Sequence, residues 1–187
     1  CREYMDKGLD VTIIRPRTIL GIGRLGIFQV LFEWIRNGNN IPVLGHGDNK
    51  YQFVHANDLA DACILAALKK GPNIYNCGTN RFGTMREVLE NLCDYASTNS
   101  KVKSVPMRIA EILMNMTSLF RFSPLGPYHS LMYGRSLYFD ISKIRNDLGW
   151  QPKYSNNEMF IESYDWYLEN RDKVELHSNN LSSHRSN

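Results

Sequence analysis

The chain has 187 residues, 43% of them hydrophobic and 22% charged, with a formal charge of +3 at pH 7. That length suits one packed unit, or one unit and a small subdomain, and no stretch approaches the roughly 20 consecutive apolar residues that a membrane span requires. The positive charge is spread along the chain, which leaves no footprint for nucleic acid, and the first residues do not read as a secretory signal. From the amino terminus, "CREYMDKG" reads as the back half of a helix turning at Gly8, and Val11–Ile14 as an apolar, β-branched strand of the kind buried in a parallel sheet. Pro16 is expected to stop that ladder because it has no N–H to donate. Gly21 and Gly23 then open a loop at the strand's carboxyl end, the end where open α/β sheets bind ligands.

The next stretch, "GIFQVLFEWIRNG", places Phe28, Leu31, Phe32 and Ile35 on one helical face and stops at Gly38. "IPVLG" is a short strand. "YQFVHANDLADACILAALKKGP" reads as strand, cap and helix, with Asn57 or Asp58 accepting from the first free amides, and Gly71-Pro72 closing it. "NIYNCG" is a further strand. Thr84-x-x-Glu87 is a capping box ahead of Val88, Leu89, Leu92 and Tyr95. "SKVKSVP" reads as a strand before a Met-rich stretch with Met107, Met114 and Met116, read as core or as an adaptable substrate wall. Asp140 can cap "ISKIRNDLG". Ser155-x-x-Glu158 boxes a last helix with Phe160, Tyr164, Tyr167 and Leu168 on one face. From Asp172 onward the apolar content is too low to pack, so 172–187 is expected to be a disordered polar tail. Strand and helix alternate, which favours α/β.

Cys1, Cys63, Cys77 and Cys93 lack the spacing of a metal site, so no metal is expected; buried free thiols in a reducing cytoplasm are the plain reading. His55, at a strand end before a helix cap, reads as a structural histidine bonded to nearby backbone.

Four phrases in order, "VTIIRPRTILGIGR", "YQFVHANDLADA", "IYNCGTNRFGTMREVLENL" and "FDISKIRNDLGWQPKYSNNEMFIESYDWYL", resemble the carboxyl-terminal half of the extended short-chain dehydrogenase/reductases, the NAD-dependent epimerase/dehydratase family. The resemblance implies an α/β fold: the carboxyl-terminal part of a Rossmann-type doubly wound parallel sheet plus a small α/β substrate-binding subdomain, together spanning 1–171. It also implies NAD or NADP as cofactor, a small-molecule substrate of the nucleotide-sugar class, and a cytoplasmic enzyme for which a homodimer is allowed. In that family the glycine-rich dinucleotide loop and the catalytic Tyr-x-x-x-Lys pair precede the strand at Val11–Ile14. The chain has no initiator methionine and no Tyr-x-x-x-Lys, so a preceding part is expected to hold the chemistry, and no catalytic residue is assigned within 1–187.

By the same resemblance Pro16 and Arg17 lie on the cofactor side, Arg17 being long enough to meet a substrate phosphate instead. Thr18, Val43, Leu44, Lys50, Tyr51, His129 and Arg135 fall to the substrate. Tyr51 stands where sugar-nucleotide epimerases supply an arginine to the diphosphate, with Lys50 beside it as a point charge. Val43 and Leu44 line either a base pocket or ordinary core. The family's second phosphate arginine falls at Ser130 by spacing, and Arg135 is close enough to replace it, with His129 and Tyr128 as further contacts. Two rival readings stay open: an NAD(P)-dependent reductase on a non-nucleotide hydroxy or keto substrate, and a non-catalytic NAD(P)-binding regulator on the same fold.

Overall fold

In a computed structural model, residues 1–106 and 135–183 are described, with side chains as far as Lys173. The Met-rich stretch and His129 lie outside them. Six strands and six helices follow one another among the described residues: α1 (Arg2–Asp6), β1 (Thr12–Pro16), β2 (Thr18–Leu20), α2 (Phe28–Arg36), β3 (Ile41–Leu44), β4 (Phe53–His55), α3 (Ala56–Leu68), β5 (Asn73–Cys77), α4 (Met85–Ala96), β6 (Val102–Val105), α5 (Ser142–Leu148) and α6 (Asn156–Ser183). The strands form three parallel pairs, β1 with β5, β2 with β4, and β3 with β6. Parallel neighbours joined through helices are the α/β architecture expected from the alternation.

The β1–β5 ladder stops at Pro16 as expected, but the extended chain does not. Pro16 is the last residue of β1, in register with Cys77, and after Arg17 the chain resumes as β2 beside a different partner. A proline still offers its carbonyl, so it ends one ladder without ending the extended run. The strand is also less enclosed than expected: Thr12, Ile13 and Ile14 are only half-buried, and Arg15 and Pro16 are exposed.

Two apolar clusters hold the elements. In the larger, α2, β3, β4, α4 and α6 meet around Phe28, Phe32, Phe53 and Phe160. Phe28 packs edge-on to Phe53 at 5.5 Å and to Phe160 at 5.0 Å. The smaller joins α3, β5 and α5 through Val54, Ala62, Tyr75, Ile144 and Trp150. The buried Asn156, first residue of α6, ties that helix to the sheet: its Oδ1 accepts from Phe53 N–H at 3.2 Å, and its Nδ2 donates to the carbonyls of Tyr51 (2.7 Å) and Phe82 (2.8 Å).

Both capping boxes form. Thr84 Oγ1 accepts from Glu87 N–H while Glu87 accepts from Thr84 N–H at 2.7 Å, and Ser155 with Glu158 repeats the exchange. At α3 the cap is His55, whose Nδ1 accepts from Asn57 N–H at 3.2 Å, rather than Asn57 or Asp58. Asp58 is freed for the loop beyond α5. Tyr95 and Leu168 were expected on buried faces and are exposed; Tyr95 sits at the edge of its helix, where its hydroxyl donates to Asp165 at 2.8 Å. Of the four thiols, Cys77 and Cys93 are buried, whereas Cys1 and Cys63 are exposed, Cys63 lying on the outer face of α3. Residues expected as a solvated tail are helical as far as Ser183, beyond non-helical dihedrals at Asn170. Among the described residues no helix is long and apolar enough to cross a membrane.

Candidate functional site

The break between β1 and β2 brings together residues expected at the site. Arg17 N–H donates to Cys77 carbonyl at 2.9 Å, which anchors the residue where the two ladders part. Thr18 follows on β2, and its hydroxyl shares a 2.7 Å hydrogen bond with the Tyr51 hydroxyl. Tyr51 is brought there because β4 runs parallel to β2, with Thr18 opposite Phe53. The Arg17 guanidinium carbon lies 5.0 Å from the centroids of both the Tyr51 and the Phe139 rings, within range for cation–π attraction.

Phe139 arrives through Gln52. That side chain is 1% exposed; its Oε1 accepts from Phe139 N–H at 2.9 Å and its Nε2 donates to Thr79 carbonyl at 2.7 Å. Leu137 bridges Tyr51, with Leu137 N–H donating to Lys50 carbonyl at 2.8 Å and Gln52 N–H to Leu137 carbonyl at 3.3 Å. Gly78 makes room for Gln52: a Cβ there would sit 2.5 Å from Gln52 Cδ. Neither Gln52 nor Phe139 is legible as a site residue, since each matters only through a partner distant in sequence.

Of the remaining expected residues, Pro16 is exposed at the end of β1 and Lys50 is exposed beside Tyr51. Lys50 N–H donates to Ser136 Oγ at 3.0 Å, which brings the exposed Arg135 to the same edge. Val43 and Leu44 lie on β3; Val43 is 4% exposed in the same apolar cluster as Tyr51, and Leu44 is half-buried.

A second polar cluster backs the glycine loop. His55 is 1% exposed, stacks on Tyr154 at 3.8 Å, and approaches Glu162 with Nε2 2.6 Å from Oε2. With Nδ1 accepting from Asn57 N–H, the ring proton belongs on Nε2 and is donated to Glu162. Gly21, Gly23 and Gly26 have the G-x-G-x-x-G spacing of a dinucleotide loop, here between β2 and α2. The structure supplies packing reasons for it: a Cβ at Gly21 would meet His55 Nε2 at 3.1 Å and Ala56 Cβ at 3.3 Å, and Gly23 (φ +71°) faces Trp166.

Cys77 borders the site, yet burial pushes its thiol up to about 12, so it stays protonated and is no nucleophile at neutral pH. Among the described residues there is no cluster of three or more metal-ligating side chains. The break gathers a buried cation, two hydroxyls that bond each other and two aromatic rings beside the cation.

This is the arrangement of a Rossmann-type α/β protein, with its polar residues at the carboxyl end of a parallel strand. More narrowly, residues 1–78 match the sequence model of the NAD dependent epimerase/dehydratase family, which bears out the resemblance. Among curated relatives, the uncharacterized protein y4nG of Sinorhizobium fredii is 56% identical over 172 residues, 91% of this chain and 43% of that protein. The dTDP-glucose 4,6-dehydratase of Streptomyces niveus is 26% identical over 168 residues, 88% of this chain and 44% of the enzyme. The chain thus spans about half the length of the curated relatives it matches or less, 43% and 44% for these two. Among solved structures, the UDP-glucose 4-epimerase of Thermotoga maritima superposes with a TM-score of 0.64 at 21% identity, covering 89% of this chain and 50% of that one. The NAD complex of dTDP-glucose 4,6-dehydratase from Bacillus anthracis gives 0.66 at 19% identity, covering 91% and 49%.

Proposed function

We propose that the chain is the carboxyl-terminal part of a cytoplasmic NAD(P)-dependent epimerase or dehydratase that acts on a nucleotide sugar. Residues 1–171 would be the packed portion, including the substrate-binding subdomain, and 172–187 would lie outside it. The observation that carries the reading is the convergence of Pro16, Arg17, Thr18 and Tyr51 at the end of β1, within the stretch that matches the family. Pro16 and the backbone after it fit the edge of a nicotinamide ring as an exposed strand end, with Arg17 between cofactor and substrate. Bound nicotinamide would supply the hydride acceptor and donor. The chain's own part is to orient the ligand: the Thr18–Tyr51 pair can donate or accept toward a sugar hydroxyl, and Lys50 and Arg135 lie at the rim for charge.

A reductase on a non-nucleotide substrate is the second reading. It is favoured by Tyr51, which is 1% exposed and bonded to Thr18 where the family resemblance calls for an arginine.

The test is to read the coding sequence upstream of Cys1 and assay the protein as its gene encodes it. A Tyr-x-x-x-Lys pair upstream, and NAD(P)-dependent conversion of UDP- or dTDP-glucose, are expected. A gene without that pair would leave the non-catalytic regulator as the reading.

A further inference from the structure

We propose that Arg17 is the residue through which this chain grips a two-oxygen anion of its ligand, a phosphate or a carboxylate. The inference rests on the site being the ligand site of the function proposed above. Arg17 is 7% exposed, and its Nε and Nη2 are buried with no hydrogen-bond partner among the described residues. These two nitrogens form one edge of the guanidinium, the edge whose paired N–H groups match two oxygens of a carboxylate or phosphate side by side. The guanidinium carbon lies over the rings of Tyr51 and Phe139, 5.0 Å from each centroid. A guanidinium held against aromatic rings with its Nε–Nη2 edge unpartnered is the geometry of a donor fork waiting for an acceptor.

A buried cation with unmade hydrogen bonds is costly to keep, so packing alone gives no reason for arginine here. The position gives one. Tyr51 stands where the family resemblance places a diphosphate-binding arginine, and the ring at that position instead carries the guanidinium of residue 17. The cation reaches the same neighbourhood from the adjoining strand. Lys50 and Arg135, the other candidates, are exposed, where water screens their charge.

Isothermal titration of the protein as its gene encodes it, with wild type, Arg17→Met and Arg17→Lys, tests this. Wild type should bind UDP or dTDP at least about tenfold more tightly than uridine or thymidine. Arg17→Met should erase that gap, and Arg17→Lys, which keeps the charge but not the fork, should fall between them. If the anion is a sugar carboxylate, UDP-glucuronate should outbind UDP-glucose in wild type only. Without ligand, Arg17→Met should melt no lower than wild type, because it removes an unsatisfied charge; a Met variant that does not fold leaves the Lys variant to decide. Diphosphate and carboxylate preferences that survive in the variants to within about twofold, or that are missing in wild type, overturn the proposal. The first of these leaves the nucleotide-sugar reading standing. Conversely, Arg17-dependent binding of inorganic pyrophosphate with no preference for nucleotides keeps the proposal and removes that reading.

Discussion

The turn into α3 and the break between β1 and β2 each bury a charged side chain, and they treat it in opposite ways. Asp58 is 1% exposed and accepts from Lys153 N–H at 3.1 Å through both oxygens and from Tyr154 N–H at 3.2 Å. Arg17 is 7% exposed and leaves Nε and Nη2 unmatched. A charge saturated by backbone donors is a fastener, here of the 153–154 loop onto α3. A charge left unsaturated is held ready for something that arrives from outside.

The sharpest way to break this contrast is to delete the fastener. Asp58→Ala strands two backbone N–H groups beside a cavity and should cost about 3 kcal/mol, with Asp58→Asn, which keeps one acceptor oxygen, costing about half as much. Urea unfolding at neutral pH measures both. If Arg17→Met lost as much stability as Asp58→Ala, the two charges would be doing the same job.

The glycine loop adjoining the break gives a smaller effect. Gly21→Ala places a Cβ 3.1 Å from His55 Nε2 and should cost about 1–3 kcal/mol as the loop retreats from the His55–Glu162 pair. A thermal melt that does not move would show that the loop packs loosely enough to serve a ligand rather than the fold.

The smallest effect lies in the α4 capping box, whose Thr84 is bridged to Lys50. Glu87→Ala should cost about 1 kcal/mol at neutral pH. The Thr84 backbone N–H holds the Glu87 carboxyl below its ordinary value of 4.5, with the Thr84 side chain adding to it. A depressed folded value stabilises the protein fully above the ordinary value and is lost as pH falls through the folded one. The gap between wild type and Glu87→Ala should therefore narrow from pH 7 to about pH 3; a constant gap would mean the carboxylate's charge contributes nothing.

Local devices were the legible part. Both capping boxes use residues three apart, so Thr84–Glu87 and Ser155–Glu158 could be read directly. The helical faces of α2, α4 and α6 followed from spacing, except where Tyr95 on α4 and Leu168 on α6 find the surface. Pro16 ends its ladder as its missing N–H foretells, but the extended chain's resumption beside a different partner depends on β4, far along the sequence. At the site, Pro16, Arg17, Thr18 and Tyr51 could be nominated from the family phrases. What Arg17 touches could not, because Phe139 comes within reach only through the hydrogen bonds of Gln52 to the far end of the chain. His55 was legible as structural, but not as the cap, since that role depends on which ring nitrogen meets Asn57.

Asn156 has a consequence for how the protein is made. Its bonds to Phe53 and Tyr51 span 103 and 105 residues, so β4 leaves the ribosome well before the helix that closes over it. At about 5–20 residues per second, the nascent chain waits on the order of 5–20 seconds for that closure. Through that interval Phe28 and Phe53 lack Phe160, the ring that packs on them at 5.0 and 5.2 Å in the folded chain.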